Sequence, residues 1–116
     1  MPIIDIIVIS NNSEKWIKTF FKSLESSVVD LSLFSLLFID NASTDNSLVK
    51  LNDYKKRLNS TVAHFTIVPL KTAKNYSQVR NHAVKHTKTD FIFFLDTEAQ
   101  LLPKTLSKLI VEIKKN

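Results

Sequence analysis

Asp96 and Glu98 are the two residues of this chain whose type and spacing best suit them to chemistry. Carboxylates one residue apart offer oxygen ligands to a hard divalent cation, Mg²⁺ or Mn²⁺. They follow Phe91-Ile-Phe-Phe-Leu95, an apolar run with no polar alternation. Such a run predicts an inner parallel strand buried on both faces. Open α/β sheets bind ligands beyond the carboxyl ends of their strands, where these two acids would stand. From these residues alone the bland reading stays open: Asp96 ends a strand and Glu98 is a solvated loop residue.

The elements that must position this pair follow from periodicity. Ile3 to Ile9 is apolar apart from Asp5 and rich in β-branched residues, which predicts a first strand. Ser10 to Ser13 end it, with Ser13 a candidate N-cap. Trp16, Ile17, Phe20, Phe21, Leu24 and Val28 then recur at helical spacing, so Trp16 and the Phe20-Phe21 pair read as core. Leu36 to Ile39 is a second strand running into Asp40-Asn41-Ala42-Ser43-Thr44-Asp45. Ser43 or Thr44 can cap a helix with Leu48, Leu51, Tyr54 and Leu58 on its inner side. Val62 to Val68 predicts a half-exposed strand near an edge, closed by Pro69. A third helix is expected from about Lys74 to Thr87, with Tyr76, Val79, Ala83 and His86 inward. Pro103 suits the first turn of a last helix whose core side carries Leu106, Leu109, Ile110 and Ile113.

The order β-α-β-α-β-α-β-α predicts an α/β fold of three layers, α/β/α, around a parallel sheet of about four strands. Right-handed crossovers, with strands one and four taken as central, give the order 3-2-1-4. The boundary between strands one and four is then a topological switch point. Ser10 to Asn12, Asp40-Asn41 and Asp96 would lie along one edge of three adjacent strands, about 5 Å apart. A sheet this short also leaves the flank beyond strand four uncovered, which suits a homodimer or a further C-terminal segment.

Composition narrows the function classes. The chain has 116 residues, no cysteine and no glycine. Thiolate and disulfide chemistry are excluded, as are the glycine-rich loops that cradle phosphates in nucleotide-triphosphate and dinucleotide folds. Every left-handed backbone position must be filled by Asn, Asp or another residue. The net charge of +5 is spread along helices, with one dense block at Lys55-Lys56-Arg57, so a nucleic-acid partner is not expected. No stretch approaches the ~20 apolar residues of a membrane span, and the expected location is cytoplasmic, or peripheral to the membrane.

Four segments carry a specific resemblance: Val8-Ile-Ser-Asn-Asn-Ser13, Phe38-Ile-Asp-Asn-Ala-Ser-Thr-Asp-Asn-Ser47, Asn75-Tyr-Ser-Gln-Val-Arg-Asn81 and Phe93-Phe-Leu-Asp-Thr-Glu98. In order and spacing they resemble the family 2 glycosyltransferases, inverting enzymes of the GT-A fold that use nucleotide-diphosphate sugars. The resemblance implies one nucleotide-sugar-binding domain over residues 1–116, the N-terminal half of a usual family member. It implies that Ser10, Asn11, Asn12, Asp40, Asn41 and Ser43 line the pocket for a uracil or thymine nucleoside. It places Asn75, Arg80 and Asn81 near the sugar nucleotide and assigns Asp96 and Glu98 to the metal. The implied partners are a UDP- or dTDP-sugar donor and a glycan or lipid-linked acceptor.

The chain departs from the family pattern at several positions. Glu98 stands where a second Asp is usual, Ser77 and Thr89 replace glycines, and Asn11 replaces a frequent Tyr. An inverting transfer needs a carboxylate to deprotonate the acceptor, and no residue of this chain is a candidate. The alternative function is therefore a non-catalytic accessory or split-enzyme module. Asp40, Ser43 and Asp45 also read as capping and turn residues, Asn75 as the cap of helix three, and Arg80 as a solvated helix residue. His82 and His86 have the spacing of two metal ligands, but Ala83 stands where a zinc protease needs Glu, so they read as a half-buried helix face.

Overall fold

The computed structural model describes residues 1–115. Four parallel strands form one sheet in the order β3-β2-β1-β4. They are β1 (Ile4–Ser10), β2 (Phe34–Asn41), β3 (His64–Leu70) and β4 (Phe91–Asp96). The helices are α1 (Glu14–Glu25), α2 (Ser47–Leu58), α3 (Tyr76–Val84) and α4 (Thr105–Lys114), and a single 3₁₀ turn spans Leu31–Leu33. This is the three-layer architecture and strand order expected from the alternation of elements.

The two-residue period of β1 divides the core. Ile4, Ile6 and Val8 face Ile17, Phe20, Phe21 and Leu24 of α1, Leu51 and Leu58 of α2, and Leu106 and Ile110 of α4. Ile7 faces the other way, onto Val79 and Ala83 of α3 with Leu37 and Ile39 of β2. Helices α1, α2 and α4 thus cover one face and α3 the other. Aromatic rings fill the thicker layer: Phe21 stacks on Tyr54 at 4.2 Å and on Phe38 at 5.4 Å, and meets Phe20 edge-on at 5.4 Å. Offset and edge-on pairs of this kind add to the burial of their area.

The expectation for β4 needs correction. It pairs with β1 alone and is the open edge of the sheet, not an inner strand. Phe91 is 43% and Ile92 37% exposed, and Phe93 to Leu95 are only half-buried. The single helix α3 spans the outer face there and reaches Phe94 but not the start of the strand. Hydrophobicity reports which residues prefer burial, and the extent of cover depends on how many elements are available to supply it.

Smaller differences have local causes. Pro69 lies inside β3, opposite Asp40, and is tolerated because β3 is an edge strand with one row of backbone groups unpaired. Helix α1 stops at Glu25, leaving Val28 outside the core. Helix α3 is shorter than its pattern, and both Tyr76 and His86 are exposed. The N-cap positions of α1 and α2 fall at Ser13 and Asn46, neither with a side-chain cap, so Ser43 and Thr44 do not cap α2. Asp5, the acid inside β1, is buried and accepts from the Lys88 and Thr89 amides (2.9 and 2.7 Å) and the Thr89 hydroxyl (2.7 Å). It fixes the turn that feeds β4. Among the described residues no helix is long and apolar enough to cross a membrane.

Candidate functional site

Parallel register sets the site. Ser10 lies opposite Asp40, and Ile9 opposite Asp96, so β1, β2 and β4 end together at the switch point. Beyond these ends lies an open cleft of about 340 Å³. Its polar wall is Asn11, Ser13, Asn41, Asp96, Thr97 and Glu98, and its apolar wall is Ile9, Tyr76 and Val79.

The Asp96-Thr97-Glu98 turn is built so that its two acids face outward. The Ala99 amide donates to the Asp96 carbonyl at 2.9 Å, closing a four-residue turn. Thr97 at its centre is buried, and its hydroxyl donates to the Ile9 carbonyl at 3.2 Å, pinning the turn to the end of β1. Asp96 and Glu98 on either side are exposed, and among the described residues neither carboxylate takes part in an ion pair.

The other wall is a latch between the loops that follow β1 and β2. Asn11 donates through Nδ2 to the Asn41 carbonyl at 2.6 Å. The Asn12 amide donates to Ser43 Oγ (2.9 Å), and Asn12 Oδ1 accepts from the Thr44 amide (2.7 Å). Ser43 Oγ donates to the buried carboxylate of Asp40 at 2.6 Å. Asn41 exchanges two bonds with the backbone of Lys74, accepting from its amide at 2.9 Å and donating to its carbonyl at 3.0 Å. The loops after β1, β2 and β3 are therefore joined through three amide side chains.

Two positions in this latch have positive φ, Asn12 at 48° and Ala42 at 56°. Asn tolerates the left-handed region, whereas the Cβ of Ala is strained there. Ala42→Gly is expected to raise stability by roughly 0.5–1 kcal/mol after the loss of unfolded-state stiffness is allowed for. The urea midpoint of the variant checks this.

Asp45 completes the latch. It accepts from the Ser47 amide at 2.9 Å and the Glu14 amide at 3.2 Å, and from the Ser47 hydroxyl. Burial acts to raise its pKa, but the Ser47 and Glu14 bonds outweigh that and hold the carboxyl below its ordinary value. A lowered folded-state pKa contributes stability above the unfolded value of about 3.9, and that contribution is lost as the pH falls through the folded value. The gap in urea midpoint between the native chain and Asp45→Ala is therefore expected to be full at neutral pH and to narrow below about pH 3.9.

Of the residues singled out from sequence, Asn11, Asn41, Asp96 and Glu98 line the cleft. Asn12, Asp40 and Ser43 stand behind it as latch residues. Ser10 is fully buried at the end of β1, and its hydroxyl has no hydrogen-bond partner among the described residues. Asn75 forms a capping box with Gln78, accepting from the Gln78 amide at 2.9 Å while Gln78 Oε1 accepts from the Asn75 amide at 3.1 Å. The Arg80 guanidinium lies 4.1 Å from the Phe94 ring centroid and 5.5 Å from that of Tyr76, outside the cleft lining. Asn81 is exposed on the same helix. Sequence reasoning missed Tyr76 and Thr97 as wall residues. Tyr76 directly follows the Asn75 cap, and an aromatic in the first turn of a helix that starts at the switch edge was the available signal. His82 and His86 sit with ring centroids 5.3 Å apart, and no group of three metal-capable side chains forms among the described residues.

The cleft offers two outward carboxylates and amide groups, with no Lys or Arg among the described residues of its wall. Residues 5–116 match Glycosyl transferase family 2. The chain belongs to glycosyltransferase family 2. It is 28% identical over 101 residues to poly(ribitol-phosphate) beta-N-acetylglucosaminyltransferase TarS of Staphylococcus aureus, covering 87% of this chain and 17% of that protein. It is 30% identical over 95 residues to poly(ribitol-phosphate) beta-glucosyltransferase of Bacillus spizizenii, covering 82% of this chain and 14% of the relative. The crystal structure of S. aureus TarS 1–349 in complex with UDP-GlcNAc superposes with a TM-score of 0.85 at 26% identity, over 97% of this chain and 31% of that one. The chain therefore spans less than a fifth of the curated relatives it matches and has the GT-A, Rossmann-like fold of the TarS structure.

Proposed function

We propose that this chain is the donor-binding part of a glycosyltransferase that takes a UDP- or dTDP-sugar and serves inverting transfer to a glycan, polysaccharide or lipid-linked acceptor. Asp96 and Glu98 hold Mg²⁺ or Mn²⁺ against the donor's diphosphate. Asn11 and Asn41, backed by Ser10, Asn12, Asp40 and Ser43, shape the nucleoside wall. Arg80, Asn75 and Asn81 flank it on the loop side and on α3.

The observation that carries this reading is the charge of the cleft. Its charged wall residues are the two acids Asp96 and Glu98. A diphosphate would be repelled by that wall alone. A divalent cation held by the two acids would reverse the sign of that interaction and would supply charge neutralisation to the leaving nucleoside diphosphate. The residues fit such a cation: Asp96 and Glu98 are two hard oxygen ligands on a pinned turn that would hold it. The likeness to TarS, whose fragment binds UDP-GlcNAc, supports a uridine donor over other nucleotides.

One observation also favours the accessory or split-module reading. Both acids of the cleft are engaged by the metal in this assignment, so no wall carboxylate is left to deprotonate an acceptor. The two readings share the donor site and part on turnover. UDP with Mn²⁺ is expected to raise the melting temperature, and a chelator to reverse the rise. A shift that survives chelation would sink the metal assignment, and no shift with UDP or dTDP would sink the donor reading. Sugar transfer by the purified chain would count against the accessory reading.

A further inference from the structure

The net charge of this protein divides unevenly among its elements. Helices α1, α2 and α4 carry nine Lys and Arg against four Asp and Glu, while the rest of the chain has seven of each. The whole net charge of +5 therefore sits on the three helices that share one face of the sheet. The rest of the chain sums to zero because its seven acids include Asp5 and Asp40, which are buried, and Asp96 and Glu98 on the cleft wall.

Part of that basic charge is already compensated. Glu14 pairs with Lys50 at 3.4 Å, and Glu25 pairs with Arg57. Lys18, Lys22 and Lys56 form no ion pair among the described residues and are exposed. Lys18 and Lys22 are one turn apart on α1 and stand, with Arg57, along a groove of about 290 Å³ between α1 and α2.

The same side of the molecule also exposes apolar residues. Leu102 is 72%, Val28 65% and Val111 54% exposed. The Val28 amide donates to the Pro103 carbonyl at 2.7 Å, which sets Val28 beside Leu102 at the foot of α1. Val111 shares a shallow depression on α4 with Lys108.

We propose that the α1–α2–α4 face docks on an anionic phospholipid bilayer, with its lysines at the phosphate plane and Val28, Leu102 and Val111 dipping into the acyl boundary. A soluble polyanion would engage the lysines and gain nothing from exposed valine and leucine. A bilayer interface takes both, because anionic headgroups attract the cations and the layer beneath takes the apolar side chains out of water. The cleft lies at the strand ends, on the rim between the two faces of the sheet, so docking by this face leaves it open along the membrane surface.

The test is co-sedimentation of the full chain with phosphatidylglycerol-containing vesicles and with neutral phosphatidylcholine vesicles. Binding is expected to the anionic vesicles alone and to weaken with added salt. The triple variant Lys18→Glu, Lys22→Glu, Lys56→Glu is expected to lower vesicle affinity at least about tenfold. The double variant Val28→Ser, Leu102→Ser is expected to lower it several-fold at a given salt concentration, while Lys85→Glu at the end of α3, on the other face of the sheet, leaves it unchanged. Three results would overturn the proposal: no binding to anionic vesicles, an equal loss with Lys85→Glu, or full binding by the serine variant. Soluble polyphosphate matching the vesicles in affinity would replace the bilayer with a polyanion. The UDP and Mn²⁺ melting shift, run on the same variants, is expected to stay intact, so failure at the bilayer and failure at the donor site are told apart.

Discussion

Asp96→Ala is expected to erase the Mn²⁺-dependent stabilisation by UDP while leaving the free protein almost as stable as before. The second half follows from exposure. Asp96 is exposed at the end of β4, and what its residue gives to the turn is the main-chain carbonyl, which alanine keeps. Surface changes of this kind usually stay within about 0.5 kcal/mol. The first half follows from the site's charge. Removing one of two carboxylates leaves Glu98 alone, and a single exposed acid is a weak ligand for a cation that dehydrates reluctantly. A ligand at a hundredfold excess over its Kd stabilises by about 2.7 kcal/mol. In a domain of this size that is a rise of roughly 10–20 °C, so its loss is easily read. Glu98→Gln is expected to weaken the shift and Glu98→Asp to retain it, since Asp keeps the charge and gives up one methylene of reach. Thr97→Val is the informative control. It keeps both acids but removes the bond from Thr97 to the Ile9 carbonyl, and it is expected to weaken the shift through misplacement of the turn. Should Asp96→Ala leave the shift whole, the metal assignment falls even if UDP still binds.

The architecture could be read from sequence because β1 and β2 are covered on both faces, and α1 has a clear apolar stripe. Residues such as Ile6, Ile7, Leu36 and Leu37 are buried whichever way they point, so a continuous apolar run stated their environment correctly. The same inference failed for β4. Phe91 and Ile92 belong to an equally continuous run, yet each depends on neighbours that the sheet order does not supply at its edge. A local pattern carries no information about how many elements remain to cover it.

At the candidate site, sequence located the loops but not the division of labour within them. The family resemblance grouped Asn12, Asp40 and Ser43 with Asn11 and Asn41 as pocket residues alike. In the structure Asn12, Asp40 and Ser43 satisfy one another across two loops. That distinction depends on partners about thirty residues away, and only the register of β1 against β2 reveals it. The absence of glycine was more telling. It required left-handed positions to be filled by other residues, and both, Asn12 and Ala42, lie in this latch. The backbone strain of the chain is thus gathered at the edge where the cleft opens, as functional edges often show.

Phe21→Ala is expected to be the most destabilising single change in the chain, at about 3–5 kcal/mol. Phe21 is fully buried where α1 meets the sheet, with Tyr54, Phe38 and Phe65 stacked against it at 4.2, 5.4 and 5.9 Å. Three of its partners belong to α2, β2 and β3, so truncation opens a cavity that no one element can collapse to fill. Domains of this kind hold only about 5–15 kcal/mol in total, so the variant is expected to lose a large share of its stability. Urea unfolding should show a lower midpoint at unchanged slope. Phe91→Ala is the matched comparison: the same side chain removed from the open edge, with an expected cost below about 1 kcal/mol because much of the ring is already in water. A large cost at Phe91 would mean that the edge of β4 is covered in solution, and it would redirect attention to what covers it. Phe21 lies in the core beneath the loops, not on the cleft wall. The folded fraction of Phe21→Ala should accordingly still bind UDP with Mn²⁺, which separates loss of fold from loss of site.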